Sequence, residues 1–200
     1  MQRKFIHNLQ EWAKSKTRKP LLLRGVRQVG KTFLLKQFGK HYFSNFHYFN
    51  FEEDLRLKRI FEKDLIPNRI INDLQIHSNH MIEPGKDLII FDEIQECPRA
   101  TTRLKYFCEE RSDLHLCAAG SLIGIHLNSG SFPVGKVDIF DLHPLSFEEF
   151  LMALGEVQSL EFLKDWSPLN TFSEALHVKL WDLFKEYLIV GGLPEVVSTF

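Results

Sequence analysis

Two hundred residues, 44% of them hydrophobic, suffice for one α/β domain with a sizeable core and part of another, and nothing in the composition suggests disorder. Three cysteines, Cys97, Cys108 and Cys117, show neither C-x-x-C nor metal-ligand spacing and are expected as reduced thiols of a cytoplasmic protein. No N-terminal signal pattern is present, and no run approaches the ~20 apolar residues that a membrane helix requires, so a soluble domain is expected.

The formal net charge of -1 hides an asymmetry, since Met1 to Lys31 carries nine Lys and Arg residues against the single acid Glu11. Such a segment suits contact with nucleic acid or an acidic partner. It equally suits the solvated face of a leading helix, with Lys31 and Arg24 or Arg27 near phosphates. The second reading is preferred, because no aromatic interleaving and no DNA-reading motif accompany the charge. The leading helix is predicted over Arg3 to about Ala13, with Phe5, Ile6, Leu9 and Trp12 as its apolar stripe.

Leu21-Leu22-Leu23 reads as a strand buried on both faces, and Pro20 suits its start. It runs into Gly25-Val26-Arg27-Gln28-Val29-Gly30-Lys31-Thr32, which has the form G-x-x-x-x-G-K-[ST]; Phe33, Leu34, Leu35 and Phe38 then recur at helical spacing. Strand, glycine loop and helix are the context in which this pattern means a phosphate-binding loop. Gly25 and Gly30 are expected to turn the backbone through conformations barred to other residues, so that N–H groups converge on phosphate oxygens at the positive end of the helix. Lys31 is expected to reach the β- and γ-phosphates and the Thr32 hydroxyl to ligate Mg²⁺. Gly25, Val26, Arg27, Gln28, Val29, Gly30, Lys31, Thr32 and Phe33 are the candidate nucleotide-binding residues. The alternative is a glycine turn with a solvated lysine.

The helix is predicted to end near Gly39, and Phe46 to Phe51 reads as a second strand. Asn50, Glu52 and Glu53 follow where they would order Mg²⁺ or water, although acids at a strand end are more often solvated. Helical patterns run from Leu55 to Phe61 and from Pro67 to about His77. Asp87-Leu88-Ile89-Ile90-Phe91-Asp92-Glu93 is a buried strand with an acidic C-terminal end, about sixty residues beyond the loop. In that order, Asp92 is expected in the Mg²⁺ shell and Glu93 as the group that polarises the attacking water. By itself such an acidic pair is more often a cap or a charged turn.

Pro98 to Glu110 is predicted as helix, and Leu114 to Ala118 as strand, ending in Gly120-Ser121. Ser121 is a candidate γ-phosphate sensor, a helix N-cap, or both. Asn128 to Pro133 reads as a polar loop, Val137 to Leu142 as a strand, and Ser146-Phe147-Glu148-Glu149 as a capping box. A long amphipathic helix ends at Gly191-Gly192, and Pro194 begins another.

Together, the loop Gly25 to Thr32, the strand end Asp92-Glu93-Ile94-Gln95, the Gly120-Ser121 pair, the stretch Pro144 to Phe150 and the closing Gly191-Gly192-Leu193-Pro194-Glu195 resemble a family of prokaryotic AAA-type P-loop ATPases. Its members look like an N-terminal AAA domain joined to a C-terminal domain of uncharacterised function, often compared with restriction-type nucleases. The resemblance implies a three-layer α/β fold with a five-stranded parallel sheet, ATP and Mg²⁺ as ligands, a core over 1–166 and the start of a helical lid over 167–200. It implies that the C-terminal domain is missing. Where the family has Gly-Arg before the last core strand, this chain has Gly135-Lys136, so a cation supplied across a homo-oligomer interface would have to be Lys136.

The function expected is Mg²⁺-dependent ATP hydrolysis coupled to the attached domain, slow in isolation. The alternatives are a nucleotide-regulated switch with little turnover and a DNA-associated ATPase. No N-K-x-D sequence supports a GTPase, and the second acid, Glu93, suits water activation better than kinase chemistry.

Overall fold

The structure is a computed structural model that describes residues 3–121, 133, 135–167 and 173–200. The described residues divide into two compact units: residues 6–27 with the described part of 31–142, and residues 3–5 and 28–30 with the described part of 143–200.

The larger unit begins with α1 (Ile6–Lys14), which buries Leu9 and Trp12; the Trp12 indole donates to Lys19 O at 2.8 Å. Next come β1 (Leu21–Gly25), α2 (Lys31–Tyr42), β2 (Phe46–Asn50), α3 (Leu55–Ile60) and α4 (Pro67–Ser78). They are followed by β3 (Leu88–Asp92), α5 (Pro98–Glu110), β4 (His115–Ser121) and β5 (Asp138–Leu142). The strands form one all-parallel sheet in the order β2-β3-β4-β1-β5, the five-stranded sheet expected from the resemblance. Parallel strands must be joined by crossovers, and helices supplied by those crossovers cover both faces, giving three layers.

Period-2 alternation divides the strand side chains between the faces. Leu22, Phe49, Ile89, Phe91, Leu116 and Ala118 turn towards α3, α4 and α5, into a core completed by Leu57, Phe61, Ile70, Leu74, Leu104 and Phe107. Phe91 is its hub, with ring centroids 5.7 Å from Phe51, 5.5 Å from Phe61, 6.2 Å from Phe49 and 6.3 Å from Phe107. Edge-to-face aromatic pairs of this kind add to plain area burial. The alternate positions Leu21, Leu23, Leu88, Ile90 and Cys117 are equally buried. They lie on the face covered by α2, which contributes Leu34, Leu35 and Phe38.

Gly39 does not end α2, which continues to Tyr42. A Cβ at Gly39 would lie 2.6 Å from the Phe46 Cβ, so this glycine is required by the close approach of helix and strand. Charges in the leading segment are largely engaged within the chain. Arg24 binds Asp141, its register partner on β5, through two hydrogen bonds of 2.8 and 2.6 Å, and so does not take the place near phosphates that the sequence offered it.

The smaller unit holds α6 (Phe147–Ala153), α7 (Val157–Lys164), α8 (Glu174–Val190) and α9 (Pro194–Thr199). The capping box at Ser146 and Glu149 is formed as predicted, and Glu149 also pairs with Arg3 at 3.2 Å. Leu145, Phe150 and Val197 form the core here, with Phe147 and Tyr187 packed on it. Gly192 passes directly against the Leu145 backbone, leaving no room for a Cβ, and Tyr187 donates to Leu145 O at 2.8 Å. The stretch Asn128 to Phe132 lies outside the described residues.

Candidate functional site

β1 delivers its last residue, Gly25, to the C-terminal edge of the sheet, in register with Ser121 on β4 and Leu142 on β5. Gly25 is therefore extended, and the left-handed backbone of the loop falls elsewhere, on Gln28 (φ 62) and Gly30 (φ 92). Glycine adopts this region freely, whereas a residue with a Cβ pays about 1–2 kcal/mol, so Gln28 stores strain that Gly30 does not. Lys31 opens α2 and is only 6% exposed. Its Nζ donates to Gly25 O at 3.0 Å and Val26 O at 2.9 Å. An ammonium has three N–H donors, so this arrangement uses two. Burial pulls the Lys31 pKa down, while Glu93 and then Asp92 act to raise it. Beside the loop, Val26 and Phe33 are exposed.

The helix that begins at Lys31 aims Thr32 at the end of β3, where its Oγ1 donates to Asp92 Oδ2 at 2.6 Å. Asp92 is 1% exposed and satisfied from three sides. Tyr48 OH donates to the same oxygen at 2.8 Å, and Glu93 N donates to Oδ1 at 3.0 Å. Burial, then the Asp92 charge, pushes the Tyr48 phenol well above its ordinary pKa, so it stays protonated as a donor. The Lys36 ammonium lies over the Tyr48 ring, 3.5 Å from its centroid. A hydroxyl and a carboxylate in contact are an oxygen-only donor set of the kind hard divalent cations take, with the remaining positions left to water and phosphate oxygens. The residues present thus fit Mg²⁺.

Glu93 leaves β3 in the left-handed region (φ 49, ψ 46) and leads into a single 3-10 turn, Ile94–Glu96. That turn brings Gln95 back alongside, and the Gln95 Nε2 donates to Glu93 Oε2. The Gln95 Oε1 accepts from Ser121 N at 3.3 Å. Ser121 is 6% exposed at the end of β4. Lys31, Thr32, Asp92, Glu93 and Ser121, scattered over ninety residues, therefore gather at one edge of one sheet.

Lys136 is not gathered there. It precedes β5, whose first residue pairs with Leu21 at the start of β1, and it forms an ion pair with Glu109 at 2.9 Å. Asn50 is committed locally, since its Oδ1 accepts from Glu52 N and Glu53 N and its Nδ2 donates to Tyr48 OH at 3.2 Å. Glu52 and Glu53 are exposed. Tyr48, Lys36 and Gln95 escaped sequence reasoning as site residues. Tyr48 carried a signal, since it shares a strand face with Asn50, two residues before the strand end, and Gln95 stood in the motif Asp92-Glu93-Ile94-Gln95 with no role of its own. Among the described residues no cluster of three His, Cys, Asp or Glu residues could hold a metal ion, and no helix is long and apolar enough to cross a membrane.

No curated protein matches the sequence. Among solved structures, the Walker-type ATPase PABY2304 of Pyrococcus abyssi is similar in fold, with a TM-score of 0.54 and 15% identity over 96% of this chain and 64% of that one. C. elegans PCH-2 is similar at a TM-score of 0.54 and 14% identity, over 98% of this chain and 59% of that one. The chain thus spans about three fifths of the length of either protein. Residues 17–151, from the approach to β1 through most of α6, match the AAA domain family, and with its P-loop fold the chain belongs to that family of ATPase domains.

Proposed function

We propose that this domain binds ATP with Mg²⁺ at the loop Gly25–Phe33 and hydrolyses it. The observation that carries the reading is the Thr32–Asp92 contact, which joins the phosphate-loop hydroxyl to the acid at the end of β3. Thr32 and Asp92 would hold the cation, which when bound supplies charge to offset that of the phosphate oxygens. The loop N–H groups and the Lys31 ammonium bind and orient the phosphates. Glu93 accepts a proton from the water it polarises, and Ser121 reads the terminal phosphate from the end of β4. Hydrolysis is coupled in this reading to an attached domain beyond the helical segment. Lys136, held by Glu109 at the opposite edge of its own sheet, enters only as a cation that one copy lends to the next.

The test is ATP titration and phosphate release for the parent, Lys31→Ala and Glu93→Gln, each with and without Mg²⁺. Lys31→Ala should lose nucleotide affinity, since a charge-assisted contact disappears from a site built around it. Glu93→Gln should bind like the parent and turn over roughly 10²-fold more slowly. A parent that binds ATP without releasing phosphate would make the domain a nucleotide switch. Specific activity that rises with protein concentration in the parent and not in Lys136→Ala would support the cross-copy cation; equal, flat curves would remove it.

A further inference from the structure

We propose that Gln95 is a positioning residue for the Glu93 carboxylate, tying it to the C-terminal end of β4. The inference rests on the hydrolytic reading above and deepens it. One side-chain amide makes both contacts: its Nε2 donates to Glu93 Oε2 and its Oε1 accepts from Ser121 N at 3.3 Å. The amide has only one orientation that works. Turned over, its oxygen would face a carboxylate and its NH₂ would face an N–H donor, so the network itself fixes which end is which.

The local backbone is built for this bridge. Glu93 takes a left-handed conformation, and the following turn closes through Glu96 N to Glu93 O at 2.9 Å and Cys97 N to Ile94 O at 3.0 Å. Residue 95 is thereby returned to the side of residue 93. An unanchored glutamate samples several rotamers, whereas a general base must sit within hydrogen-bond reach of its water. Gln95 occupies one carboxylate oxygen, and a carboxylate can hold that donor and a water together.

The other end of the bridge matters as much. Ser121 is the register partner of Gly25, which opens the phosphate loop. A change at that strand end is therefore handed through one amide to the carboxylate. The length of glutamine is specific: asparagine is one methylene too short to span both contacts, and glutamate would set a second negative charge against the first.

The test uses the parent, Gln95→Met, which keeps the length without the amide, Gln95→Asn and Glu93→Gln. In each Gln95 variant kcat should fall about tenfold or more while KM stays within about twofold, the signature of a loss felt in the transition state rather than in binding. The Gln95→Met change should cost nothing further in a Glu93→Gln background, because the two residues act as one unit. Without nucleotide, the Ser121 amide should exchange its hydrogen faster in both Gln95 variants. Gln95→Met or Gln95→Asn at the parent kcat, or a full additional loss in the Glu93→Gln background, would overturn the inference while the hydrolytic reading stands. A parent whose turnover ignores Glu93→Gln would remove both.

Discussion

Thr32 Oγ1 and Asp92 Oδ2 stand 2.6 Å apart across sixty residues of sequence. Thr32→Val replaces the hydroxyl with a methyl of the same shape, and Tyr48 and Glu93 N still serve the Asp92 carboxylate, so the variant should fold. Its nucleotide affinity in EDTA should match the parent. The gain in affinity on adding Mg²⁺ should shrink by about tenfold or more, because a hydroxyl ligand has been lost. Titration with a fluorescent ATP analogue measures both; an undiminished Mg²⁺ effect would separate Thr32 from the metal.

Tyr48→Phe removes a 2.8 Å hydrogen bond to a buried carboxylate, together with the longer, 3.2 Å bond that the phenol accepts from Asn50 Nδ2. Bonds to charged groups are worth about 1.5–3 kcal/mol, and the loss is softened here because Thr32 still donates to the same oxygen. Urea unfolding should show a destabilisation of about 1 kcal/mol. A variant as stable as the parent would show that the Tyr48 hydroxyl adds nothing to the holding of Asp92.

Glu93 carries a side chain in a backbone region that favours glycine. Glu93→Ala and Glu93→Gly both remove the carboxylate and its bond to Gln95, so both should be inactive. They differ in strain: at φ 49 glycine should be more stable than alanine by about 1 kcal/mol, the reverse of their order in a helix or strand. Alanine equal to or above glycine in thermal melting would show that the left-handed turn is not enforced.

His115 is 8% exposed, edge-on to Phe43 at 4.9 Å and Trp12 at 6.1 Å between ring centroids. Burial, and then the nearby Arg18 charge, hold its pKa below the ordinary 6.5. The unfolded chain therefore takes up this proton at a higher pH than the folded one. The resulting stability is fully present above about pH 6.5 and is lost as pH falls through the folded pKa, with a slope of at most about 1.4 kcal/mol per pH unit for one proton. His115→Phe should flatten the fall in melting temperature between pH 6.5 and 5. An unchanged slope would assign the acid sensitivity to other groups.

What the sequence disclosed depended on whether the relevant chemistry was local. The succession of strand, glycine loop and helix around Gly25 to Thr32, the acidic end of β3, Pro98 at the first position of α5 and the capping box at Ser146 are written within a few consecutive residues, and each of these local structures was legible. α7 was missed because it lacks such marks: its N-cap is Glu156, with no side-chain cap hydrogen bond. Gly39 was misread as a helix stop because its reason for being glycine is Phe46, in the next strand. Tyr48 finds Asp92 only through the pairing of β2 with β3. Gln95 depends on a left-handed glutamate, a conformation that no propensity of glutamate would suggest. Arg24 looked like a phosphate neighbour until β5 was placed beside β1, opposite Asp141.

Phe91, the residue immediately before Asp92, is wholly buried at the meeting point of four other phenylalanine rings. The carboxylate proposed to hold the cation is thus mounted on an interlocked cluster of rings, and it inherits both the firmness and the vulnerability of that mounting. A shaved ring at Phe49, Phe61 or Phe107 leaves a void that the neighbours can only partly close, and Phe91 would lean into it. Such lesions, remote from every phosphate, should give conditional enzymes: competent in the cold, failing on warming through a misplaced carboxylate, while the circular dichroism of the helices is still that of the intact protein.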